Sequence, residues 1–145
     1  MKAVFDTNIL VDYLKENNQA AATLAKYDEK LISRITWIEV FVGAVGSAEE
    51  TTARALLAGF RVIDVGDQVS ERAILLRRDS GMGMGRKLKL PDAIILATAQ
   101  AENCRLVTRK TKDFDDTSPS ILVPYQIPDP PPSSPPAPGN RRIQT

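Results

Sequence analysis

The chain has 145 residues, 43% of them hydrophobic, with a formal net charge of +1, which suits one compact domain burying roughly two thirds of its unfolded surface. It contains no histidine and a single cysteine, Cys104, which excludes Ser-His and Cys-His nucleophile pairs, an imidazole base, a Cys/His zinc site and an internal disulfide. It offers neither a run of about 18 apolar residues for a membrane span nor a basic-then-apolar leader, so a cytoplasmic protein with no membrane contact is expected.

The first strand is predicted at Lys2 to Phe5, and it stops on an acid, Asp6. In "TNILVDYLKEN" the apolar Ile9, Leu10, Tyr13 and Leu14 recur at helical spacing. "NQAAATLAKYD" predicts a second helix and "KLISRI" a short strand. "TWIEVFVGAV" predicts a third helix, "SAEETTARALLAGF" a fourth beginning at Ser47, and "RVIDV" a strand. An amphipathic helix over "DQVSERAILLRRD" leads to the glycine loop "SGMGMG" and the basic "RKLKL". Pro91 then starts a strongly apolar helix, "PDAIILATAQAENC", which ends near Cys104, read as a small core residue. "RLVT" and "ILVPY" predict the last two strands, separated by the turn-forming "DFDDTSPS". Short strands alternating with helices imply an α/β domain over residues 1–125, with a parallel sheet covered on both faces. From residue 126 the chain turns to "QIPDPPPSSPPAPGNRRIQT", whose composition predicts a disordered, proline-rich tail over 126–145.

Three acids stand alone beside apolar segments. Asp6, Glu39 and Asp92 each have an ordinary role open to them: Asp6 as a helix cap, Glu39 as the return arm of a capping box with Thr36, Asp92 as a first-turn acid behind Pro91. Taken together, each is expected at a helix start reached from an extended segment, and in an open parallel sheet those junctions share the carboxyl edge where ligand crevices form. Clustered carboxylates repel one another unless a base or a divalent cation neutralises them. Oxygen donors without His or Cys select a hard ion, Mg²⁺, with Mn²⁺ as a possible substitute. A fourth acid is expected from "TRKTKDFDD", Asp113 being preferred over Asp115 and Asp116. Asn8 and Thr108 are placed to orient a carboxylate or a water, and Arg109, Lys110 and Lys112 to meet a phosphate.

Four stretches in order, "VFDTNIL", the Glu of "ITWIEVFVGA", "LPDAIILATA" and "LVTRKTKDF", make the chain resemble a PIN domain, and more narrowly the VapC-type toxins of bacterial toxin-antitoxin pairs, over about residues 1 to 125. The resemblance implies a three-layer α/β/α sandwich with a central parallel sheet and a Mg²⁺-dependent endoribonuclease. It also implies a metal site of Asp6, Glu39, Asp92 and Asp113, with Asp6 and Asp92 as direct ligands. Lys110 departs from the pattern, since relatives carry Asn or Asp at its place, and it brings a positive charge towards the metal pocket.

In that reading a metal-activated water attacks the phosphodiester and leaves 5′-phosphate and 3′-hydroxyl ends. Arg86, Lys87 and Lys89, just before Asp92, are expected to capture the RNA backbone. The resemblance further implies a structured RNA substrate such as tRNA, arrested translation, a cognate antitoxin that covers the pocket, and a homodimer. The alternative is a catalytically degenerate PIN fold acting as a binding module, its carboxylates serving as caps and Lys110 neutralising them. Neither of two phosphate chemistries fits: Asn8 stands where a phosphotransfer Asp pair needs its second acid, and "GMGMGRKL" lacks the ending of a P-loop.

Overall fold

The computed structural model describes residues 1–82, 88–112, 114 and 117–127. Five strands, β1 (Lys2–Phe5), β2 (Glu29–Ser33), β3 (Arg61–Ile63), β4 (Arg105–Val107) and β5 (Ile121–Leu122), form one sheet in the order β3-β2-β1-β4-β5, every pairing parallel. The helices are α1 (Thr7–Leu14), α2 (Asn18–Ala25), α3 (Arg34–Gly43), α4 (Ser47–Leu57), α5 (Asp67–Met82) and α6 (Leu90–Ala101).

Because successive strand side chains point to opposite faces, β1 divides its residues between two cores. Ala3 and Phe5 join Ile32, Val107 and the apolar sides of α1 to α4, whereas Val4 joins Leu31, Leu106 and the apolar sides of α5 and α6. This is the expected α/β/α sandwich. Phe5, fully buried, meets the rings of Tyr27 and Phe60 edge-on at centroid distances of 5.1 and 5.9 Å, a favoured aromatic geometry.

The predicted elements are present, with shifted ends that have physical causes. α3 starts earlier than expected: β2 runs straight into it, and Ser33 caps it by accepting a hydrogen bond from Ile35 N at 3.2 Å. Thr36 and Glu39 therefore form no capping box, and Glu39 lies in the second turn of α3. The expectation that all three acids start helices holds for Asp6 and Asp92 and fails for Glu39. α6 begins at Leu90 with Pro91 second, where the missing N–H costs nothing. β5 is shorter than "ILVPY", limited by the short β4 beside it and by Pro124, which cannot donate to a ladder. Cys104 sits past α6, behind Asn103 in the left-handed region (φ 55°), and is only part-buried. No helix among the described residues is long and apolar enough to cross a membrane. The tail beyond residue 127 and the second half of the glycine loop lie outside the described residues.

α2 is capped by Asn17, whose side chain accepts from Ala20 N at 2.9 Å. Asn17→Ala is expected to cost about 1 kcal/mol, read as a lowered urea midpoint at constant slope; an unchanged midpoint would mean water replaces the cap.

Candidate active site

β1 and β4 are neighbours in the sheet, so their carboxyl ends deliver Asp6 and Thr108 side by side. Asp6 N donates to Val107 O at 2.9 Å, which prolongs the ladder one residue beyond β1. The Asp6 carboxylate is then held at both oxygens. Oδ1 accepts from Thr7 N at 2.7 Å, while Oδ2 accepts from Thr108 Oγ1 at 2.7 Å and Asn8 Nδ2 at 3.3 Å. Thr108 Oγ1 in turn accepts from Lys110 N at 3.0 Å, and Asn8 Oδ1 accepts from Arg109 N at 3.3 Å. Asn8 and Thr108 thus orient a carboxylate and tie the turn after β4 to the start of α1.

Asp92, in the first turn of α6, is 3% exposed. Its Oδ1 accepts from Lys110 Nζ at 3.1 Å; its Oδ2 is buried with no hydrogen-bond partner among the described residues. Asp6 and Asp92 are close enough to repel. Burial foremost, and Asp92 in addition, push the Asp6 carboxyl above the usual range, while Lys110 and the hydrogen bond from Thr108 pull it down.

Glu39 reaches this corner from α3, across the start of α1. Thr7 Oγ1 lies 2.7 Å from Glu39 Oε1 and 3.1 Å from Thr36 Oγ1. The single Thr7 proton goes to the carboxylate, so Thr36 donates to Thr7. Glu39 is exposed and joins the site through Thr7 without touching Asp6. Among the described residues no group of three or more acids stands close enough to hold one ion. Asp113, its alternatives Asp115 and Asp116, and the bases Arg86 and Lys87 lie outside the described residues. Lys89 is the exposed N-cap residue of α6, three positions before Asp92.

The carboxylate pair, its donors and the parallel order of the sheet come from four separated stretches, and comparison with known proteins joins them. Residues 3–118 match the PIN domain family. The chain belongs to the PIN-domain family. The expected likeness to VapC-type PIN domains holds in solved structures. One described as a toxin-antitoxin complex from Klebsiella pneumoniae is 42% identical at a TM-score of 0.77, covering 87% of this chain and 100% of that one. VapBC2 from Rickettsia felis, bound to a DNA fragment from its promoter, is 25% identical at a TM-score of 0.69, with 84% and 96% covered. FitAcB from Neisseria gonorrhoeae, 19% identical at a TM-score of 0.73, shares the fold. Among curated proteins none matches.

In this PIN domain the sequence reading passed over Asp12, Thr7 and Tyr125. Asp12, on α1, is 4% exposed. It accepts from Arg109 Nε and Nη2 at 2.5 and 2.9 Å and from the Tyr125 hydroxyl at 2.8 Å. Arg109 is therefore engaged in an internal ion pair that braces the turn carrying Thr108 and Lys110. The pair raises the Arg109 pKa, and burial together with the Asp12 carboxylate raises that of Tyr125. A signal was present, since Asp12 is the lone acid inside an apolar helical run, the same oddity that singled out Glu39.

Proposed function

We propose that this PIN domain is a divalent-cation-dependent endoribonuclease, the toxin of a toxin-antitoxin pair. The observation that carries the reading is Asp92 Oδ2. A buried carboxylate oxygen without a partner costs on the order of 1–3 kcal/mol or more, and here it sits beside a second buried acid whose own oxygens are held by three donors. Such a pair fits a hard cation, which satisfies the orphaned oxygen and offsets the repulsion. Asp6 and Asp92 would hold Mg²⁺ or Mn²⁺, with Glu39 and Asp113 completing the acidic set. When bound, the ion supplies charge neutralisation and a water of lowered pKa.

The chain's own residues do the remaining work. Thr7 N, Thr108 and Asn8 fix the Asp6 carboxylate. Thr7 also orients Glu39, leaving its other oxygen to accept a proton from a water aligned with the scissile phosphorus. Arg86, Lys87 and Lys89 meet the phosphate backbone. Structured RNA such as tRNA is the proposed substrate, and arrested translation the proposed outcome. The antitoxin is supported by solved relatives that are toxin-antitoxin complexes. A cavity of about 380 Å³ between α1, α3 and α4, walled by Val11, Leu14, Val40 and Ala44 and bordered by Glu39, is the seat we assign to an apolar antitoxin segment. A homodimer is proposed through exposed apolar residues such as Ile74 and Leu75 on α5.

Purified protein is expected to cleave cellular RNA with Mg²⁺ and not with EDTA, leaving 5′-phosphate ends. Mg²⁺ is also expected to raise the thermal midpoint, since saturation at about 100 times Kd stabilises a fold by about 2.7 kcal/mol. Cleavage that persists in EDTA would overturn the mechanism. The second reading, a binding module without catalysis, is favoured by the Lys110 ion pair with Asp92 and predicts neither response to Mg²⁺.

A further inference from the structure

Lys110 pairs with one of the two acids that the proposed nuclease needs for its cation, and its charge acts on the other. Its backbone is fixed by its N–H on Thr108 Oγ1 and by the preceding Arg109, locked onto Asp12. Its flexible stem carries the ammonium to Asp92 Oδ1, 3.1 Å away, and its charge also acts on Asp6. The Lys110 side chain is 39% exposed against 5% for Asp92, so one end of the pair can withdraw into water while the other cannot. An ammonium is a compact single charge on a mobile tether, and this one leaves Asp92 Oδ2 with no hydrogen-bond partner among the described residues.

We propose that Lys110 is a tethered competitor of the catalytic cation: its ammonium neutralises the Asp6 and Asp92 pair and must leave Asp92 before a divalent ion can use both oxygens. This rests on the nuclease reading and adds regulation of the same site. Two consequences follow from charge alone. The protein without metal is spared part of the repulsion between its buried acids, and each divalent ion binds against the loss of an existing ion pair. Cation affinity is thereby lowered, and cleavage starts only at higher divalent concentration.

The test uses the full chain and Mn²⁺ as the probe, with binding read from the loss of the free-ion electron paramagnetic resonance signal and from the thermal midpoint. Lys110→Met is expected to bind Mn²⁺ about fivefold more tightly than wild type, the upper scale of one part-exposed ion pair removed from competition. Its midpoint should be lower in EDTA and rise more with Mn²⁺. Lys110→Arg, which keeps the charge, should bind as weakly as wild type. If Lys110→Met fails to fold, Lys110→Gln carries the same expectation. Equal Mn²⁺ affinity in wild type and the neutral variant, with binding abolished by Asp92→Asn, overturns the competitor and leaves the nuclease standing. Absence of Mn²⁺ binding in every variant, with no cleavage, overturns both.

Discussion

Asp92→Asn is expected to lower Mg²⁺-dependent RNA cleavage by about 100-fold or more while the fold stays in place. The size follows from a comparison: altering a residue that only supports a metal ligand already costs about 10–100-fold in affinity or activity, and Asp92 is proposed as a ligand itself. The fold survives because the substitution nearly conserves shape and removes one of two mutually repelling buried acids. Lys110 is part-exposed, so its ammonium can be met by water. The thermal midpoint in EDTA should therefore stay within a few degrees of wild type, whereas the Mg²⁺-induced rise should vanish. Those readouts separate loss of chemistry from loss of structure. Undiminished cleavage by Asp92→Asn would remove Asp92 from the site, and with it the proposed cation.

The largest effect on stability is expected from Asp12→Ala. The substitution deletes a carboxylate with three short hydrogen bonds and leaves the Arg109 guanidinium and the Tyr125 hydroxyl unmatched. Breaking a buried ion pair from one side costs about 3–5 kcal/mol. The lower end, about 3 kcal/mol, is expected because the Arg109 side chain is 28% exposed and regains some hydration. That loss corresponds to a midpoint lowered by roughly 6–12 °C in a chain of this size. Cleavage should fall too, since the freed turn carries Thr108, whose hydroxyl fixes Asp6. A denaturation midpoint close to wild type would show that Asp12 is paired to no advantage and that the turn is held elsewhere.

How far these sites could be read from residues depended on whether local patterns carried the information. The end of β1 on Asp6 was legible because an apolar run that stops on an acid before helical spacing has few alternatives. Pro91 with Asp92 was legible for the same reason, a helix start written in adjacent residues. Glu39 was identified by its isolation among apolar neighbours, yet its place in α3 was misjudged. The capping pattern at Thr36 competes with a better cap at Ser33, and only the backbone shows which one starts the helix. Asp12 was passed over because its partners, Arg109 and Tyr125, lie 97 and 113 residues away, beyond any local spacing.

The sequence by itself determined the chemistry available to this protein. Lacking histidine, with lone acids beside short apolar strands, it had carboxylates and cations to work with, and strands alternating with helices required a parallel sheet. Which acids meet was decided only by the tertiary structure. The strand order sets β1 beside β4, and that adjacency brings Thr108 and Lys110 onto Asp6 and Asp92 across a long stretch of chain. Parallel pairing is the physical reason: it aligns the carboxyl ends of separate strands at one edge, and no pattern within a single segment records which strand will lie next to it.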